Sequence, residues 1–191
     1  MSKADIHLVN ETDEIEHRFR SVMRRVAGGV SIITAGRDDD VTGMTVTSLT
    51  PLSANPPRLL VSINRQSSSS FALIERYRQF GISILNADQQ QLADRFSNTR
   101  LNGKQRFEGA VWSRGPSGVP LLGKSLAAVE CQVEEIIERY SHGIIVGRLL
   151  SMELSHRLSG LVYWNGQYIE VDHDTDWGLL AAVSIPLAHV R

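Results

Sequence analysis

The sequence predicts a mainly β fold of the α+β kind: an antiparallel sheet, closed or nearly closed into a barrel, with a few peripheral helices. Three observations carry that reading. β-branched segments with strand-like alternation recur along the chain. Only two or three stretches show helical periodicity. The regular exchange of strand and long helix that a parallel sheet needs is missing. The length of 191 residues suits one domain, read as a flexible N-terminus 1–13, a domain 14–171 and a tail 172–191.

Element by element, Ile15, Phe19, Val22, Met23 and Val26 fall at helical spacing opposite Glu14, Glu16, Arg18 and Arg20. That spacing predicts an amphipathic helix over residues 14–27, ended by Gly28 and Gly29. Residues 30–34 follow as a strand, and Asp38, Asp39 and Asp40 read as its exposed turn. A second strand covers residues 41–49. Pro51 and the run Asn55, Pro56, Pro57 break regularity before a strand over 58–64, in which Leu59, Val61 and Ile63 share one face. Four serines, 67–70, open a helix carrying Phe71, Leu73, Ile74 and Tyr77, since serine hydroxyls cap free amides. A strand over 80–85 and a short helix over 88–96 come next. Residues 97–123 carry several Gly and Pro residues and read as an irregular lid or dimer arm. Residues 126–138 form a long strand with Glu130, Gln132 and Glu134 on a solvated face. Residues 143–153 are another strand, and residues 161–170 a hairpin whose Asn165 and Gly166 suit a type I′ turn.

Several function classes are disfavoured. A formal net charge of −1 gives no global field for nucleic acid or an anionic membrane. The single cysteine, Cys131, points to a reducing compartment. No export signal or spanning apolar run is visible, so a cytoplasmic protein is expected. Residues 118–125 match the phosphate-loop pattern, but Pro120 stiffens the loop and a strand pattern follows where a helix is required. Asp172, Asp174 and Asp176 imitate a calcium loop, yet Trp177 stands at its glycine position and Val183 at its glutamate. No metal site is expected. The dinucleotide fingerprint and the nucleophile elbow are both missing.

What remains is a density of polar side chains in structural segments: Thr45, Thr47 and Ser48, then Ser62 and Asn64, then the serines 67–70. They suit a ribityl chain and phosphate lying across a sheet, or are ordinary strand and cap residues.

The order of the segments resembles the short-chain flavin reductases, the reductase components of two-component flavin-dependent monooxygenases. The pieces are Phe19 to Met23 with Gly29 to Thr34, Gly43 to Ser48, Pro56-Pro57, Val61 to Arg65 with Ser67, and Phe80 to Leu85. Leu92 to Phe96, Arg106-Phe107, His142 with Val146-Gly147, and Gly166 to Tyr168 complete them. The resemblance implies an FMN-binding split β-barrel that reduces FMN or FAD with NADH or NADPH. It also implies a homodimer that hands reduced flavin to a monooxygenase. Thr45, Val46, Thr47 and Ser48 would line the flavin ring and ribityl chain. Ser62, Asn64, Ser67 and Ser68 would hold ribityl and phosphate, Arg65 would add charge, and Arg95 with Phe96 would close the nucleotide end. His142 and Tyr168 would position the nicotinamide. Tyr140-Ser141 stand where the family has Gly-Asp before that histidine. Within the same fold, the alternatives are an enzyme with tightly held flavin, such as an oxidase, and a flavin-binding module without turnover.

Overall fold

The computed structural model describes residues 11–66, 68–156 and 158–172. In chain order these form α1 (Glu11–Met23), β1 (Gly28–Gly29), β2 (Ser31–Arg37), β3 (Asp40–Val46), β4 (Thr50–Ala54), β5 (Pro57–Asn64), α2 (Ser69–Tyr77) and β6 (Gln79–Ile84). Then come α3 (Gln90–Ser97), β7 (Trp112–Arg114), β8 (Pro120–Leu122), β9 (Ala127–Arg139), β10 (His142–Leu154), β11 (Gly160–Trp164) and β12 (Gln167–Val171). Short 3₁₀ turns cover Ala87–Gln89 and Gly103–Phe107.

A seven-stranded antiparallel sheet ordered β3-β2-β6-β9-β10-β5-β4 coils around the core. β2 has no solvent face, because its alternate residues enter two different clusters. Ile33 joins Val61, Ile63, Phe80 and Ile145 inside the sheet, where Phe71 and Ile74 of α2 plug the interior. Ile32 joins Leu85, Ala93, Phe96, Leu122 and Leu161 on the outer face under α3. Burying aliphatic side chains on both faces is the main driving force for such a layered arrangement. The sheet keeps β3 and β4 as edges, so it is split rather than closed. Ser48 spans the seam: its hydroxyl donates to the Ser62 carbonyl at 2.7 Å and accepts from the Ser62 amide at 3.3 Å.

Four expectations are corrected. The N-terminal helix runs over Glu11–Met23 rather than over 14–27, and its apolar residues Ile15, Phe19 and Val22 are exposed. β3 stops at Val46, and residues 50–54, read as a break, form the edge strand β4. Pro51 is tolerated there because an edge strand carries one unpaired side and the register shifts beside it. Residues 97–123 are not irregular throughout: β7 and β8 pair with each other, and Phe107 and Trp112 pack on Phe96 with ring centroids 5.2 and 5.4 Å away. That same segment covers Glu130, which is fully buried rather than solvated, its carboxylate accepting from the amide and hydroxyl of Ser117. Strand alternation cannot report a loop that folds over the polar face. The β11–β12 hairpin matches expectation, with Asn165 at φ 50° and Gly166 at φ 86°, the left-handed pair of a type I′ turn.

Candidate active site

Two hollows that share Thr45 and Ser97 form one groove along the C-terminal half of β3. One, of about 200 Å³, is a serine lobe between Met44, Ser68, Ser69, Ser70 and Arg106. The other, of about 400 Å³, is a tyrosine lobe between Val46, Thr47, Asp94, Tyr163 and Tyr168. The tyrosine lobe alone falls in the size range of small-molecule and cofactor sites, and the serine lobe extends it.

Local folding places each wall. Ser68 is the N-cap of α2, its hydroxyl accepting from the Phe71 amide at 3.4 Å and donating to the Met44 sulfur at 3.3 Å. The first-turn amides of α2 therefore face the serine lobe, with the partial positive charge of a helix start. Arg106 reaches in from the 3₁₀ turn. Its guanidinium donates to the carbonyls of Gly43 and Phe96 at 2.7 Å each, of Leu101 at 2.9 Å and of Asn98 at 3.1 Å. It is a cation held by carbonyl dipoles with no carboxylate among those partners. Burial pulls its pKa below the ordinary 12.5, and it stays protonated at physiological pH.

In the tyrosine lobe the hairpin register sets Tyr163 opposite Tyr168, and their rings meet edge-on at 5.3 Å. Tyr168 ionises above its ordinary range, first because it is buried and then because of the neighbouring Asp94 and Tyr163. Thr45 donates its hydroxyl to the Ala93 carbonyl at 2.6 Å, fixing β3 against α3. Gly43 leaves room for this arrangement: a Cβ there would lie 2.6 Å from the Phe96 ring and 2.8 Å from the Ile33 carbonyl.

Of the residues singled out in the sequence, Thr45, Val46, Thr47 and Tyr168 line the tyrosine lobe, and Thr45, Ser68 and Phe96 the serine lobe. Ser48 and Ser62 meet across the seam beside them. Asn64 lies opposite His142 where β5 and β10 end, outside both hollows. The His142 ring is oriented by Ser141, whose hydroxyl is 2.9 Å from Nδ1. Arg65 is turned to Glu138 in an ion pair and donates from Nε and Nη2 to the Tyr140 carbonyl. Arg95 is turned to the Gln105 carbonyl at 3.0 Å and to Glu108 at 3.6 Å. Ser67 lies outside the described residues, as do Asp174 and Asp176.

Sequence reasoning passed over Met44, Asp94, Arg106 and Tyr163. Arg106 and Asp94 both stand in segments that carry the family resemblance, without a role attached. Tyr163 was open to inference, because a type I′ turn at residues 165–166 forces 163 opposite 168. Among the described residues no cluster of His, Cys, Asp and Glu is built to hold a metal.

Fold and groove define a split-barrel protein whose groove joins a lobe lined by serines and Arg106 to a lobe lined by two tyrosines and Asp94. The chain belongs to the flavin reductase-like domain family, whose profile matches residues 23–172. It is 33% identical over 156 residues to the reductase component of an FADH(2)-dependent resorcinol hydroxylase from Rhizobium sp., covering 81% of this chain and 86% of that protein. The flavin reductase component of a bacterial two-component tryptophan halogenase superposes with a TM-score of 0.76 at 32% identity, over 82% of this chain and 98% of that one. The NADH:FAD oxidoreductase of Streptomyces globisporus C-1027, solved with NAD and FAD fragments, superposes with a TM-score of 0.77 at 25% identity, over 88% and 99% of the two chains.

Proposed function

We propose that this protein is an NAD(P)H:flavin oxidoreductase that reduces FMN or FAD and releases the reduced flavin to a partner monooxygenase. The observation that carries the reading is the groove's division of labour within a flavin reductase fold: a cationic, serine-lined lobe joined to an aromatic lobe. The residues fit the cofactor. The α2 amides and Arg106 suit a phosphate, the threonine backbone of residues 45–47 suits the polar edge of a planar ring, and Tyr163 with Tyr168 suits an aromatic face. When bound, flavin supplies the hydride-accepting chemistry.

The chain's own work is binding and orientation. Arg106 and the α2 N-terminus fix one end of the ligand, and β3 fixes its plane. Tyr168 sets where a nicotinamide ring stacks, because its ring is fixed opposite Tyr163 by the hairpin register and their edge-on contact. His142, held by Ser141, contacts the dinucleotide from the end of β10. No general acid is needed, since the second proton of flavin reduction comes from water. The groove is open, and that suits a flavin that must leave.

The protein acts in the cytoplasm as a homodimer. Exposed Ile15, Phe19 and Val22 on α1, together with Met152 and Leu154 on β10, supply apolar surface for a second copy. No helix among the described residues is long and apolar enough to cross a membrane.

Anaerobic titration tests the activity. NADH or NADPH is added to the protein with FMN or FAD, and bleaching of the flavin absorbance is expected; its absence with all four combinations would reject the reading. Dialysis separates exchangeable flavin, which is expected, from a fixed prosthetic group. Light scattering should give twice the chain mass, falling to one chain in Phe19→Asp.

A further inference from the structure

The two lobes are opposite in charge. Among the described residues, Arg106 is the only cation lining the serine lobe, and Asp94 the only carboxylate lining the tyrosine lobe. Asp94 is exposed to the groove on α3 and takes part in none of the ion pairs found among the described residues. The cation next to it in sequence, Arg95, is committed to Glu108 and the Gln105 carbonyl. A lone carboxylate beside two tyrosine rings is a site for positive charge, by Coulomb attraction and by cation–π contact.

Nicotinamide chemistry creates that charge. Hydride transfer moves two electrons and one proton from C4 of the dihydronicotinamide to N5 of the flavin, breaking one C–H bond and forming one N–H bond. The nicotinamide passes from neutral to a charge of +1, and the flavin gains one negative charge that a solvent proton neutralises. We propose that the Asp94 carboxylate stabilises the positive charge developing on the nicotinamide, and so favours the transition state and the oxidised dinucleotide over the reduced one, whose ring is uncharged. Charge that appears only as reaction proceeds is where a fixed charge lowers a barrier rather than merely tightening binding. The inference rests on the nicotinamide occupying the tyrosine lobe, as proposed above.

The decisive readout is an affinity ratio. The flavin-loaded protein is titrated calorimetrically with NAD+ and with 1,4,5,6-tetrahydro-NAD, an analogue with the same diphosphate but an uncharged ring that donates no hydride. In Asp94→Asn, NAD+ affinity should fall about fivefold while that of the analogue changes by less than about twofold, the size expected of one solvent-screened carboxylate. Asp94→Glu should keep the wild-type ratio, and stopped-flow hydride transfer in Asp94→Asn should slow by a similar factor. Should Asp94→Asn fail to fold, the wild-type protein decides the matter: its preference for NAD+ must shrink between about 10 mM and about 500 mM salt. Equal loss for both ligands, no loss for either, or a ratio indifferent to salt would overturn the proposal. Wild-type protein that bleaches flavin normally with an unchanged ratio in the variant rejects the role of Asp94 alone. A wild-type protein that does not bleach flavin rejects the functional reading instead.

Discussion

Replacing Arg106 by Met keeps most of the stem and removes the guanidinium, which separates its structural work from its charge. Four backbone carbonyls lose their donor, at distances of 2.7 to 3.1 Å in the native state. The carbonyls of Leu101 and Asn98 lie near the surface, where water replaces the donor at little cost. Those of Gly43 and Phe96 sit deeper, between β3 and the 3₁₀ turn. A hydrogen bond to a charged group contributes about 1.5–3 kcal/mol, so the two deeper bonds set a loss of about 2–4 kcal/mol after partial hydration. Urea titration measures that loss directly, and thermal unfolding should report a drop of roughly 5–15 °C. The charge has a different readout. FMN affinity should fall about tenfold in Arg106→Met, while riboflavin, which lacks the phosphate, should lose much less. Arg106→Lys should restore the FMN preference without restoring stability, because one ammonium cannot reach four divergent carbonyls. A stability loss under about 0.5 kcal/mol, or equal weakening of FMN and riboflavin, would refute the assignment of Arg106 as the clamp and cation of the serine lobe.

The other predictions are shorter. Burial, with a smaller contribution from neighbouring Glu130, pushes the Cys131 thiol up to about 12 from an ordinary 9.0. The unfolded chain ionises first, so stability is intact below pH 9 and falls by about 1.4 kcal/mol per pH unit above it. Cys131→Ala should flatten that slope, and native protein at pH 8 should resist thiol reagents until unfolded. Tyr140 is 95% exposed at φ 52°, held there by Arg65, so Tyr140→Gly should raise stability by about 0.5–1 kcal/mol in urea titrations. Gly43→Ala should cost about 2 kcal/mol or more and weaken flavin binding, since Phe96 and the Ile33 carbonyl leave its Cβ no space. His142→Ala should raise the KM for NADH with flavin affinity unchanged, and Ser141→Ala should do the same to a lesser degree.

What could be read from the chain and what could not divides along a physical line. Signals contained within one element were legible. The apolar face of Leu59, Val61 and Ile63 is buried in the barrel, and the serine run caps α2 through Ser68. Asn165-Gly166 turns the β11–β12 hairpin as its dihedral preferences require. Signals made by one segment lying on another were not. Glu130 belongs by alternation to a solvated face, and only the turn around Gly115 and Ser117, folded over it, makes it a buried acceptor. Pro51 reads as a break because sequence does not say which strand has a free edge. The site shows the same division. Thr45 and Thr47 were found because they carry recognisable polar chemistry in a strand, and Val46 and Tyr168 through the resemblance to the flavin reductases. Arg106 and Asp94, which give the groove its polarity, sit on a 3₁₀ turn and a short helix where an arginine or an aspartate is an unremarkable surface residue. Their meaning comes from facing the same edge strand, with Thr45 and Ser97 between the two lobes. A groove with a cation at one end and a carboxylate at the other also admits its ligands in one orientation. Reversing that polarity, in Asp94→Lys combined with Arg106→Met, should abolish NAD+ preference and FMN preference together, whereas each single change to a neutral residue should remove only its own.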